Sequence, residues 1–327
     1  MNIAIIGSSG HYAFALRALA LRPDIRLVAV APGSHSEDMS SVLAAAEKAG
    51  AHPALYGDWR AMLDAERLEL AVVNPWFCEA AEVSMACLER GLHVFSEKPL
   101  ATTFEQLDAL ETAWRASGRA LHGMFNLRCC AWFNTVKKAV SDGLVGEVRQ
   151  VHGQKSYKLG RRSELYFRRD TYGGIIPWVA IHALDWVTQL GGACQWIAGV
   201  QNSQCNRGHG ELEVTSALML QMENGVIGTV TADFLRPDGA PRHDDDRLRV
   251  TGTRGMLEAL NGRVFLENEE PRRELPLEKE DNCLLVMLDA LGTPQADRLA
   301  HDALAVTRAA LLAREAGDRR MVMVNRR

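Results

Sequence analysis

At 327 residues the chain is longer than one ordinary core and suits two domains. Its 47% hydrophobic and 24% charged residues are those of a water-soluble globular protein, and a net charge of −4 argues against a nucleic-acid partner, which normally wants a basic face. The opening MNIAIIG runs into an apolar strand pattern with no basic leader, and no apolar run approaches the roughly 20 residues that cross a bilayer. The seven cysteines are odd in number and form no C-x-x-C pair, so the expectation is a cytoplasmic protein with reduced thiols and no membrane partner.

Strand patterns occur at 2–6, 26–30, 68–74, 93–97 and 120–125, with helical periodicity over 11–21, 36–49, 78–90 and 103–117. Short strands alternating with amphipathic helices predict an α/β domain over residues 1–125, a doubly wound parallel sheet that binds ligands at the carboxyl ends of its strands. Over residues 126–327 the rhythm changes. A helix at about 130–142 and the turn SDGLVGE lead to a strand at 147–158 and a helix opening in GGIIPWVAIHALDW. Alternating segments between 195 and about 275, separated by ENG, GT and NGR turn signals, predict a mostly antiparallel sheet and an α+β domain. A helix at 298–316 and a last strand, MVMV (321–324), close the chain.

The first strand ends in IIGSSGHYAFAL. A glycine-rich turn from strand to helix lets backbone N–H groups approach a pyrophosphate at the positive end of the helix. Gly7 fits the first position of G-x-G-x-x-G/A, but Ser9 stands where the second glycine belongs; with one extra residue the loop becomes Gly7-x-x-Gly10-x-x-Ala13. Ser8, Ser9, His11 and Tyr12 complete the candidate cradle, against the bland alternative of an ordinary βα turn. The second strand should select between NAD and NADP, through an acid for the ribose hydroxyl or a basic residue for the 2′-phosphate. Its end offers Ala31, Pro32, Gly33, Ser34 and His35, which decide nothing, and Ser34 is counted only as a contact. Asn74 and Pro75, at another strand end, are expected to line the cofactor. In HVFSEKPLA, Glu97 and Lys98 end the fourth clear strand, where an ammonium could hydrogen-bond a substrate hydroxyl and stabilise a developing alkoxide.

GLHVFSEKPLATT resembles the E-K-P signature of the glucose–fructose oxidoreductase/inositol dehydrogenase/MocA family. The glycine loop, VVNPWFCEAA, MFNLR and GLVGEV agree with that family in order, so the resemblance covers essentially the whole chain. It implies a Rossmann domain followed by an α+β domain whose open, mostly antiparallel sheet makes homo-oligomer contacts. It also implies NAD(P), hydride transfer to or from a secondary carbinol of a sugar, polyol or related substrate, and a cis bond before Pro99. Asn126 and Arg128 match the family's Y-N-x-R, placing Asn126 with the cofactor and Arg128 with the substrate.

The family's second signature, G-G-x-x-x-D-x-x-x-H-x-x-D, falls on GGIIPWVAIHALD. His182 takes the histidine place and is expected to be the acid/base, since imidazole titrates near neutrality. Asp185 takes the last aspartate. Trp178 replaces the first, a departure that predicts different substrate contacts, an indole face for a sugar ring or an aromatic aglycone. On an α-helix Trp178, His182 and Asp185 would share one face. KSYKLGRRSELYFRRD gathers Lys155, Lys158, Arg161, Arg162, Arg168 and Arg169, a candidate basic lip for a carboxylate- or phosphate-bearing substrate, weighed against a solvated loop or a subunit contact. The run HDDDR (243–247) reads as a solvated turn, and no metal site is expected. Two rivals to the dehydrogenase stand beside it: a retained-cofactor enzyme that cleaves glycosides by oxidation and elimination, and a non-catalytic dinucleotide-binding regulator.

Overall fold

The computed structural model describes residues 1–319 and the backbone of 323–324. In chain order the elements are β1 (Asn2–Ile6), α1 (Ala13–Leu21), β2 (Arg26–Ala31), α2 (Ser40–Lys48), β3 (Ala54–Leu55), α3 (Trp59–Ala65), β4 (Leu70–Val73), α4 (Ala80–Glu89), β5 (His93–Ser96), α5 (Phe104–Ser117), β6 (Leu121–Gly123), α6 (Ala131–Ser141), β7 (Val148–Tyr157), α7 (Arg169–Tyr172), α8 (Ile181–Gly191), β8 (Cys194–Asn202), β9 (Thr215–Met222), β10 (Ile227–Asp233), β11 (Asp244–Gly252), β12 (Met256–Leu260), β13 (Arg263–Glu267), β14 (Arg273–Leu275), α9 (Cys283–Asp289), α10 (Pro294–Arg319) and β15 (Met323–Val324).

They form two units, 1–126 with 282–307 and 127–281 with 308–327. The first unit runs through Asn126, and segment 282–307 returns to it. The physical reason is local: α9 packs on α1, and the Asn282 amide donates to the Phe14 carbonyl at 2.9 Å. The same Asn282 oxygen caps α9 through the Leu284 and Leu285 N–H groups, so one residue starts the helix and ties it down.

In the first unit all strands are parallel, in the order β3-β2-β1-β4-β5-β6. The order reverses between β1 and β4, which opens a crevice at their carboxyl ends. Strand β4 is buried along its whole length and β1 except at Asn2, as a sheet covered on both faces requires. The edge strand β3 and helix α3 were not foreseen; β3 has two residues, too few for a period.

The second unit holds a nine-stranded sheet ordered β14-β13-β12-β11-β7-β10-β9-β8-β15. All its pairs are antiparallel except β7 with β10. Helix α8 lies on β7 and β10. It can approach because Gly153 faces Ala183 and Gly228 faces Val187, where an added Cβ would come within 3.1 and 2.6 Å of those side chains. The other face carries exposed apolar side chains. Met219 pairs with Ala198 and Thr229 in register, so Val200 and Ile227 share its side of the sheet, and all three are exposed. Of the expected last strand, Met321 and Val322 lie outside the described residues, while Met323 and Val324 pair with β8.

Candidate functional site

The loop after β1 is shaped by two glycines. Gly7 has φ +92°, and a Cβ there would sit 2.1 Å from the Asn74 carbonyl oxygen; Gly10 has φ +71°, and a Cβ would sit 2.2 Å from Glu97 Oε2. Only glycine tolerates both the left-handed backbone and the approach. The Ser9 N–H donates to the Asn74 carbonyl at 2.8 Å, and the Asn74 amide returns a bond to the Ser9 carbonyl at 2.7 Å, locking β4's end to the loop. Tyr12 precedes α1 without a side-chain cap, and the Phe14 and Ala15 N–H groups turn back to the His11 and Tyr12 carbonyls at 3.0 Å. Pro75 packs over Gly33, and the buried Ser34 hydroxyl accepts from the Trp76 N–H at 2.7 Å. Asn126 begins a 3₁₀ turn at the end of the first unit, its side-chain oxygen buried with no hydrogen-bond partner among the described residues. These residues fit a dinucleotide: a cradle that any Cβ would fill, at the amino end of a nine-residue helix.

Glu97 and Lys98 end β5, both buried, at 0 and 2% exposure, and 4.0 Å apart at their charged atoms. The Glu97 carboxylate accepts the His11 N–H at 2.6 Å and meets the His11 Nδ1 at 3.0 Å. Burial alone would raise the Glu97 carboxyl; the His11 ring and Lys98 outweigh it and hold the group below its ordinary value. The Lys98–Pro99 bond is cis, as the resemblance implied.

One group at this end of the sheet was not foreseen. Glu37, six residues past the end of β2, accepts hydrogen bonds from the N–H groups of Ser8, Gly33 and Ser34 at 2.7, 2.9 and 3.1 Å. The sequence carried a signal for it: Ser34-x-x-Glu37 has capping-box spacing, in which a glutamate reaches back to the N–H three residues earlier.

In the second unit the stretch 173–191 is not one α-helix. Ile176–Ala180 forms a π turn, closed by the Ile181 N–H to the Ile176 carbonyl, and α8 begins only at Ile181. Pro177, which has no N–H to give, sits at the start of that turn. Trp178 therefore lies in the π turn, whereas His182 and Asp185 lie in α8. His182 is buried, at 2% exposure. Asp185 forms a buried two-pronged pair with Arg128, with Nε and a terminal nitrogen 2.5–2.8 Å from its oxygens. This pair ties the 3₁₀ turn Asn126–Cys129 to α8, so each of Arg128 and Asp185 has the other as a structural partner. Trp178 is half-buried, stacked on Phe234 at 5.7 Å and tilted against Tyr166 at 4.5 Å, with the Arg162 guanidinium 5.5 Å from its ring.

The basic residues of the expected lip are engaged in different ways. Lys155 is buried, 2.6 Å from Asp246, directly opposite it in the β7–β11 register. Burial alone would lower its ammonium, but Tyr157 and Asp246 hold it above the ordinary value. Lys158 donates to the carbonyls of Asp238 and Ala240, Arg168 pairs with Asp170, and Arg169 pairs with Glu213 and Asp318. Arg162 lies over aromatic rings. Three of the six cations, Lys155, Arg168 and Arg169, are thus paired with carboxylates. HDDDR is no solvated turn: Asp244–Arg247 lie within β11, with Asp245 paired to Arg236 and Arg247. Cross-strand cations make the run compatible with a strand. Among the described residues no group of three or more His, Cys, Asp or Glu is placed to hold a metal ion.

Comparison with known proteins agrees with this geometry. Residues 1–125 match the family model described as an oxidoreductase family with an NAD-binding Rossmann fold, and residues 133–258 match the GFO/IDH/MocA C-terminal domain. A solved structure from Thermotoga maritima superposes with a TM-score of 0.94 at 38% identity, over 99% of this chain and 100% of that one. Levoglucosan dehydrogenase of Pseudarthrobacter phenanthrenivorans is 24% identical over 74% of this chain and 63% of its own length. The 1,5-anhydro-D-fructose reductase of Ensifer adhaerens is 27% identical over 60% of each, so the chain matches somewhat under two thirds of the length of either relative. With a parallel sheet of order 3-2-1-4-5-6, the glycine cradle at its switch point and both domain models matched in sequence, the chain belongs to the GFO/IDH/MocA oxidoreductase family.

Proposed function

We propose that this protein is an NAD(P)-dependent oxidoreductase acting on a secondary carbinol of a sugar, polyol or related substrate. The observation that carries the reading is Lys98, an ammonium held at 2% exposure at the carboxyl end of a Rossmann strand, following a glutamate that is itself pinned by the first loop. A cation there hydrogen-bonds the substrate oxygen and stabilises the alkoxide as it forms. His182 accepts the hydroxyl proton in oxidation and returns it in reduction, a role worth about 10²–10⁴-fold. Bound nicotinamide would supply the hydride acceptor or donor. Trp178, where family members carry a carboxylate, presents an indole to an apolar sugar face or an aglycone.

The test follows reduced-nicotinamide absorbance with NAD and NADP against pooled sugars, polyols and glycosides, with Lys98→Met in parallel. Net reduction that falls by at least about 10²-fold in the variant, with nucleotide binding kept, supports the proposal. Cofactor-dependent turnover without net reduction would move the assignment to oxidation–elimination, and binding without turnover to a regulator. The exposed face carrying Val200, Met219 and Ile227 supports a homo-oligomer through the C-terminal sheet; a monomer by light scattering would exclude it. A cytoplasmic setting is supported by seven cysteines that are all free thiols.

A further inference from the structure

The Glu37 carboxylate is held between the loops that follow β1 and β2. Its Oε1 accepts from the Ser8 N–H at 2.7 Å and from the hydroxyls of Ser8 and Ser9 at 3.0 and 3.3 Å. Its Oε2 accepts from the Gly33 and Ser34 N–H groups at 2.9 and 3.1 Å. Ser36, in the left-handed region at φ +60°, turns the chain back so that Glu37 can reach this position. A non-glycine residue there is uncommon and is found where surrounding contacts over-determine it. Three amides from two loops make an anion nest, and the anion that fills it is the protein's own side chain. Between Pro32 and Met39 there is no lysine or arginine, while Asp38 adds a second carboxylate.

We infer that Glu37 makes the protein select NAD over NADP. This rests on the dinucleotide reading of the first loop. The carboxyl ends of the first two strands of such a sheet hold the adenosine ribose, and an acid there accepts from its 2′-hydroxyl. The three amide donors are fixed, but the two serine hydroxyls rotate, so Oε1 can exchange one of them for a ribose hydroxyl. A 2′-phosphate, carrying about −1.5 to −2 charges, would meet a carboxylate already bound by the very amides that could have received it, with no cation in the loop. The acid does this work from beyond the strand end, where the motif would not place it.

The experiment titrates the full chain with NADH and NADPH by nicotinamide fluorescence, and with ADP-ribose and its 2′-phosphate by calorimetry. Neither readout requires turnover. The expected result is tighter binding of the forms without the 2′-phosphate by about 10- to 100-fold, the worth of one hydrogen bond to a charged group. Glu37→Gln should shrink that ratio about tenfold or more, weakening NADH and strengthening NADPH. NADPH bound as tightly as NADH by the unsubstituted protein would overturn the inference, and that outcome needs no variant to fold. So would an unchanged ratio in a Glu37→Gln protein of unaltered circular dichroism. Binding of neither nucleotide would instead overturn the dinucleotide reading itself.

Discussion

Asp185→Asn should destabilise the second unit severely, and Arg128→Met/Asp185→Leu should not. The wild-type pair is two-pronged at 2.5–2.8 Å, with side chains 7 and 2% exposed. An arginine cannot shed its proton to escape burial. Asp185→Asn leaves the Arg128 cation without its counter-charge, and removing one partner of such a pair costs about 3–5 kcal/mol. For a unit of this size, about 2–4 °C per kcal/mol translates into a fall of roughly 6–20 °C in the unfolding midpoint. Replacing both partners by apolar residues removes the desolvation cost together with the attraction, and should leave the stability within about 2 kcal/mol of wild type. Because the chain has two units, the assay is differential scanning calorimetry, which separates their transitions. A midpoint within about 2 °C of wild type for Asp185→Asn, or a double variant as unstable as the single ones, would refute the reasoning.

Gly7→Ala places a methyl 2.1 Å from a backbone oxygen on a left-handed residue, so nucleotide binding should be lost by fluorescence titration; binding within about threefold of wild type would show that the loop has room. Glu97 is held below its ordinary 4.5, so its contribution to stability is complete above that pH and lost as pH falls through the folded value. The stability advantage of wild type over Glu97→Gln should accordingly shrink on acidification below about pH 4.5, and a constant difference would remove the carboxylate's role. Cys205 is exposed, whereas burial pushes the Cys87 and Cys130 thiols up to about 12. A thiol reagent at neutral pH should modify Cys205 first, and rapid labelling that survives Cys205→Ser would contradict this.

Much of the fold was legible in the sequence because hydrophobic periodicity is a local property. Strand β1 matches its expected bounds of 2–6, and β2, β4 and β5 lie within a residue or two of theirs. The glycine loop and Lys98 were legible for a related reason, since backbone approach and strand ends are written in short runs of chain. Elements too short to show a period, β3 and the π turn over Ile176–Ala180, escaped. So did every side-chain pairing set by register and chain crossing. Glu37 meets Ser8 across 29 residues, Asp185 meets Arg128 across 57, and Lys155 meets Asp246 across 91. Composition places such charges near one another without saying which will cancel. Only the packed chain decided that Lys155, Arg168 and Arg169 are paired with carboxylates, that Arg128 and Asp185 hold each other, and that a glutamate six residues past β2 fills the nest beside the first loop.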